Sequence, residues 1–179
     1  MKNLIKPVIV LTVIAFICTA ALAGVNSLTQ EIIAKAAAEK KAATMQQLFP
    51  EEQGFDSVEI DAETLKKYSS SGVYKAESGS GYIVEVSTSG YGGEIEMMVA
   101  FSNECDILGV KVLSHEETNG IGTRVVGDEK YLSNYTGKNA SEPSGVDAIS
   151  GATVSSKAVL AGVNNAANLM TNTVGGGVK

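Results

Sequence analysis

The sequence predicts an α+β protein in which an N-terminal transmembrane helix precedes one extracytoplasmic domain, a twisted antiparallel sheet packed against helices. Three observations predict it. A long uncharged run, Pro7 to Gln30, follows two lysines at the N-terminus. Apolar residues then alternate with polar ones between Val73 and Val112, the period of strands that cover one face. Beyond Thr153, Val159, Val163, Ala166 and Met170 recur at intervals of four, three and four, which aligns them on one side of a helix. A chain of 179 residues has room for one anchor and one core.

Lys2 and Lys6 make residues 1–6 a basic, cytoplasmic N-terminus, and residues 7–25 form the anchor. A helix over Pro7 to Val25 just spans the roughly 30 Å hydrocarbon layer, where every backbone polar group must be satisfied internally. Ala21-Leu22-Ala23 before Gly24 also has the small-x-small form of a signal-peptidase site, so a cleaved secretory signal is the competing reading. Both readings export the remainder of the chain. The retained anchor makes this a single-pass protein of the cell membrane, N-terminus inside and main domain outside.

Ser27 with Gln30 three residues on has the form of a capping box and predicts a fresh, alanine-rich juxtamembrane helix within residues 27–48, closed by Pro50. The main domain is placed at 55–173, with a flexible C-terminus over 174–179. Inside it, Asp61 to Tyr68 reads as a short helix anchored by Leu65. Tyr82, Val84 and Val86, then Ile95, Met97, Val99 and Phe101, then Leu108, Val110 and Val112 give three antiparallel strands joined by glycine or Asn/Asp turns. The helix after Thr153 covers them.

Charge and cysteine content exclude several functions. The net charge is −6, and the first 26 residues contribute two lysines and no acid, so the exported part is more acidic still. Such a surface repels a phosphate backbone, and no nucleic-acid partner is expected. Cys18 falls in the apolar run and leaves Cys105 alone outside it, which supports neither a disulfide framework nor a cysteine-rich metal site. His115 has no zinc-type spacing around it, and no metal is assigned.

Two glycine-containing stretches hold the chemistry. His115-Glu116-Glu117-Thr118-Asn119-Gly120-Ile121-Gly122 follows the third strand, with small residues that let backbone N–H groups approach a ligand; an ordinary glycine turn explains it too. Asp147-Ala148-Ile149-Ser150-Gly151-Ala152-Thr153, then Val154-Ser155-Ser156, opens the covering helix. A helix start rich in hydroxyls is read equally well as capping or as a phosphate site, because the first-turn N–H groups lack intrahelical acceptors. Neither a Walker lysine nor a dinucleotide fingerprint is present.

Asp147-x-x-Ser150-Gly151-Ala152-Thr153 resembles the flavinylation motif of the FMN-binding domain family, found in the G component of Rnf electron-transport complexes and the C component of sodium-pumping NADH:quinone reductases. Glu117 to Gly122 is similar to that family's Glu-Thr-Pro-Gly-Leu-Gly loop, with Asn119 for proline and Ile121 for leucine. Gly90-Tyr91-Gly92-Gly93 ahead of Glu94-Ile95 also looks like the family, where proline often stands at the position of Glu94. With the anchor and the domain size, the resemblance extends over almost the whole chain. The chain's length suits the Rnf component better than its quinone-reductase relative.

The resemblance implies FMN held covalently by a phosphoester on Thr153, with Ser150, Gly151 and Ala152 forming the close turn and Asp147 contributing to recognition by a flavin transferase. It implies hydrogen bonds from Ser155 and Ser156 to the phosphate, with Thr118 and the backbone at Gly120 facing the flavin. No residue is assigned a catalytic role of its own. The implied function is an electron relay in a membrane complex that couples electron transfer between ferredoxin and NAD to sodium-ion or proton transport. Its partners would be the other Rnf-type integral membrane and iron-sulfur or flavin subunits. The alternatives are a flavinylated relay serving another extracytoplasmic reductase and a non-redox, membrane-tethered adaptor.

Overall fold

Helix α1 (Lys2–Leu48) begins the computed structural model, which describes residues 2–143 and 145–174. Of the predicted flexible tail only Val174 lies among them, and 175–179 fall outside the described residues. The segment Lys6–Leu48 contains a stretch of mean hydropathy 2.7, long and apolar enough to cross a membrane. Thr12 and Thr19 turn their hydroxyls back to donate to Val8 O (2.9 Å) and Ala15 O (2.8 Å), so these polar groups find partners within the helix. The predicted new start at Ser27 is not found. Ser27 Oγ donates backward to Gly24 O at 3.0 Å, and with no proline between Pro7 and Pro50 the helix runs on through this region.

The chain divides into two units between Lys41 and Ala42. The second holds a five-stranded meander of neighbours in sequence order, every pair antiparallel: β1 (Phe55–Val58), β2 (Ser70–Ala76), β3 (Gly81–Ser89), β4 (Glu94–Ser102) and β5 (Ile107–His115). The three expected strands are therefore five. The two extra ones gave little periodic signal, because β1 has four residues with none buried and β2 buries only Val73 and Ala76 among serines and Gly72. Between them lies α2 (Ala62–Lys67), where Asp61 accepts the Thr64 N–H at 2.8 Å as N-cap, within the predicted short helix.

Leu108 departs from its expected inward position. Register shifts between Glu96 and Met97 and between Ala100 and Phe101 change the phase of β5 against β4, so Ile107, Val110 and Leu113 are buried while Leu108 is 43% exposed. After β5 come α3 (Thr123–Val126), α4 (Glu129–Ser133) and α5 (Thr153–Leu169), which ends in a π-helical turn, Met170–Val174.

Both faces of the sheet are covered. On one, Val84, Val86, Ile95, Met97, Val99 and Phe101 form a core with Val159, Val163 and Ala166 of α5, as the helical spacing predicts, joined by Val125, Leu132 and Tyr135. On the other, Ile83, Met98, Ala100 and Leu113 cluster with Met45 and Phe49. Burying each large apolar side chain contributes about 1.5–3 kcal/mol. Glu52 fastens this second layer: its buried carboxylate accepts from the Ser78 hydroxyl, from Ser80 Oγ at 2.6 Å and from the Ser78 N–H at 3.2 Å. These bonds, the Ser78 hydroxyl first, hold the Glu52 carboxyl below its usual range.

Candidate functional site

Three segments distant in sequence meet at one end of the sheet. The β3–β4 turn supplies Tyr91, the loop after β5 supplies Ile121, and the start of α5 supplies Gly151, Ala152, Thr153, Val154 and Ser155, around a hollow of about 340 Å³. Two more voluminous grooves, of about 520 and 590 Å³, contain none of the predicted site residues. Volume alone therefore does not single out the site; chemistry does.

The floor is the N-terminus of α5. Gly151 sits at φ +81°, a left-handed turn that a side chain would strain. Ala152 follows at the N-cap position, where no side chain caps the helix. The first-turn N–H groups are therefore left for an external acceptor, and the helix dipole favours an anion there. Thr153, exposed, is the first helical residue.

Two adjacent buried serines differ in role. Ser156 Oγ accepts the Ile149 N–H at 3.0 Å and donates to Ala152 O at 3.0 Å, tying the turn over 149–152 to the helix. Ser155 Oγ is fully buried and has no hydrogen-bonding partner among the described residues. A buried hydroxyl without a partner is costly, and Ser155 is one of the residues that line the hollow. Ser150 and Asp147 are exposed on the approach to the helix, outside the lining of the hollow.

Glu117 organises the opposite wall. It is only 7% exposed, and its carboxylate accepts the Tyr91 N–H at 2.8 Å and the Gly92 N–H at 3.3 Å. A Cβ at Gly92 would come within 2.9 Å of Glu117 Cα and 3.0 Å of the Thr118 nitrogen, both backbone atoms, so only glycine fits. In the loop itself, Thr118 O accepts the Ile121 and Gly122 N–H groups at 3.2 and 3.1 Å, and Gly120, at φ +80°, donates to Thr123 Oγ1 at 2.9 Å. Thr118 and Gly120 are exposed and shape the loop, whereas Ile121 is the loop residue that lines the hollow.

Tyr91, Ile121 and Val154 were not singled out from sequence, nor was Glu117 as a structural hub. Tyr91, Ile121 and Val154 are 65%, 42% and 52% exposed, an apolar rim above a floor of small and hydroxylated residues. A tyrosine between glycines was the available signal for the first. For Ile121 and Val154 the sequence offers only exposed aliphatics in loops or at a helix start.

The FMN-binding domain family matches residues 90–168, which contain every wall of the hollow, and the RnfG N-terminal region matches residues 1–48. The G component of the proton-translocating ferredoxin:NAD(+) oxidoreductase complex of Clostridium ljungdahlii is 28% identical, the match covering 93% of this chain and 91% of the relative. The G component of an ion-translocating oxidoreductase complex of Cereibacter sphaeroides is 30% identical over 83% of this chain and 75% of its own. The crystal structure of Shewanella oneidensis NqrC superposes with a TM-score of 0.50 at 27% identity, covering 59% of this chain and 61% of that one. The chain therefore belongs to the RnfG family of ion-translocating oxidoreductase complexes, as a membrane-anchored electron-transport subunit with an FMN-binding domain.

Proposed function

We propose that this chain carries FMN on Thr153 through a phosphoester and works as the extracytoplasmic electron relay of an Rnf-type complex. The observation that carries the reading is the pairing of an uncapped helix start at Thr153 with the fully buried, unpartnered hydroxyl of Ser155. Both are what a phosphate at this helix start would satisfy, since the first-turn N–H groups and the Ser155 hydroxyl would be its donors. Ser156 keeps the turn before Thr153 in shape, and Gly151 gives the approach its left-handed bend. Tyr91, Ile121 and Val154 offer apolar surface for an aromatic ring system. When bound, FMN supplies one- and two-electron transfer, for which the protein provides position and electrostatics.

The match over residues 1–48 favours an Rnf-type assembly over a relay in an unrelated reductase. By analogy with the Clostridium ljungdahlii relative, the complex would move electrons between ferredoxin and NAD and couple them to transport of an ion. Lys2 and Lys6 orient the N-terminus toward the cytoplasm, and a flavin transferase acting on the exported domain installs the cofactor.

The test is co-expression with a flavin transferase, denaturation, and peptide mass spectrometry of the chain and of Thr153→Ala, Ser150→Ala and Ser155→Ala. The FMN mass is expected on the peptide containing Thr153 and is lost in Thr153→Ala. FMN on another residue, or a covalent flavin surviving in Thr153→Ala, refutes the assignment.

A further inference from the structure

Among the described residues, the Glu117 carboxylate bonds neither a side chain nor a cation but the backbone of the turn that bears Tyr91. Glu117 lies in the loop that bears Ile121, so one carboxylate joins two of the three segments that form the apolar rim. Its seat is shaped for it. Gly90 and Gly122 both lack a Cβ where the Glu117 carboxylate lies, and the Gly92 backbone packs on the backbone of Glu116, Glu117 and Thr118. With two acceptor oxygens, a carboxylate suits a pair of N–H donors, whereas an amide of the same shape presents one oxygen and an NH2 that repels the second donor.

Tyr91 is 65% exposed, so packing alone holds it weakly. The backbone contact to Glu117 supplies the constraint that its side chain lacks. The Glu117 carboxylate is turned toward the Tyr91 amide, and the residue is absent from the lining of the hollow.

We propose that Glu117 is a positioning residue for the flavin: it locks the 90–93 turn to the 117–122 loop and thereby fixes the Tyr91 ring as the aromatic wall of the cofactor hollow. This rests on the flavin reading of the site. Tyr91 is the aromatic side chain lining the hollow, and the chain contains no tryptophan, so quenching of flavin emission by a nearby phenol reports the wall directly.

The experiment uses the full chain in detergent, co-expressed with a flavin transferase, as wild type, Glu117→Gln, Glu117→Asp, Tyr91→Leu and the Glu117→Gln/Tyr91→Leu double variant. FMN per chain, flavin emission, visible circular dichroism and midpoint potential are measured on each. Glu117→Gln is expected to carry FMN at the wild-type ratio, with emission raised several-fold to the level of Tyr91→Leu and its dichroism and potential moved alike. The double variant should add nothing, and Glu117→Asp, which keeps both acceptors, should recover part of the quenching. Wild-type emission and potential in Glu117→Gln, even with a lowered melting temperature, overturn the proposal, as do additive changes in the double variant. If Glu117→Gln does not accumulate, Glu117→Asp decides, since its shorter reach must raise emission and wild-type emission refutes the role. A wild-type chain that takes up no FMN overturns the flavin reading and this role together, whereas a loaded wild type with unaltered Glu117 variants overturns this role alone.

Discussion

Ser155 and Ser156 are neighbours of the same type, both buried, yet they are expected to respond oppositely to replacement by alanine. Ser156→Ala removes the acceptor of the half-buried Ile149 N–H, while Ala152 O still receives the Ser156 N–H at 2.9 Å and stays satisfied. One stranded donor costs about 1–2 kcal/mol, which for a domain of this size lowers the melting temperature by roughly 4–8 °C. Ser155→Ala removes a hydroxyl that has no partner among the described residues, so stability without FMN should stay within about 0.5 kcal/mol of wild type or rise. The assay is thermal and urea unfolding of the full chain, prepared without flavin transferase. With the transferase present the order should reverse in one respect, Ser155→Ala showing the larger deficit in FMN incorporated per folded chain. Equal destabilisation by the two substitutions, or a larger loss in Ser155→Ala without flavin, refutes the division of labour between them.

Phe49→Ala should cost about 3 kcal/mol in unfolding experiments and leave FMN content unchanged, because Phe49 is 7% exposed beside Phe55 (ring centroids 6.1 Å) in the layer away from the hollow. Glu52 has its folded carboxyl held below the ordinary value of 4.5, so its contribution is complete above that pH and fades as pH falls through the lowered folded value. The melting-temperature gap between wild type and Glu52→Gln should therefore be full at neutral pH and shrink below pH 4.5; a gap that widens in acid contradicts the bond network. A cysteine placed at exposed Asn103, with the native cysteines replaced, should react with a membrane-impermeant thiol reagent in intact cells. Reaction only after the cytoplasmic side is opened reverses the topology.

What the sequence made legible depends on where a regular period meets a covered surface. Val84, Val86, Ile95, Met97, Val99 and Phe101 face one core, and their alternation is visible because the polar partners on β3 are less buried. On β4 the same alternation coexists with burial of Met98 and Ala100, and nothing in a period-two pattern reveals a second layer beneath Met45 and Phe49. The strands β1 and β2 escaped because they are held by pairing, β1 to β2 and β2 to β3, more than by their own apolar content. Leu108 was misplaced for another reason: register shifts are set by the partner strand and leave no mark in the strand's own sequence. At the site, the motif at 147–153 located the helix start, but a motif names residues contiguous in sequence. Tyr91 and Ile121 reach the hollow only through the hairpin and the loop after β5, and the contact that joins them, Glu117 to the Tyr91 amide, spans 26 residues.

The shape of the hollow bears on why a covalent bond at Thr153 would be needed at all. Sites that hold a cofactor by affinity enclose most of its surface in about 300–1,000 Å³. This one, at about 340 Å³, is at the small end, and its three apolar residues remain 42–65% exposed. Little apolar area is available to retain FMN, yet the same openness leaves an electron partner room to approach. Thr153, in contrast, is rigidly placed, because the helix that begins there is fixed through the fully buried Val159, Val163 and Ala166. An ester at Thr153 would thus make occupancy independent of a weak hollow while keeping the approach open. It follows that Thr153→Ala, folded and supplied with free FMN in excess, should emerge from gel filtration with no bound flavin. Stoichiometric FMN surviving that separation would show that the rim and the helix start suffice by affinity, and the argument from openness would fail even if Thr153 proved to be the attachment site.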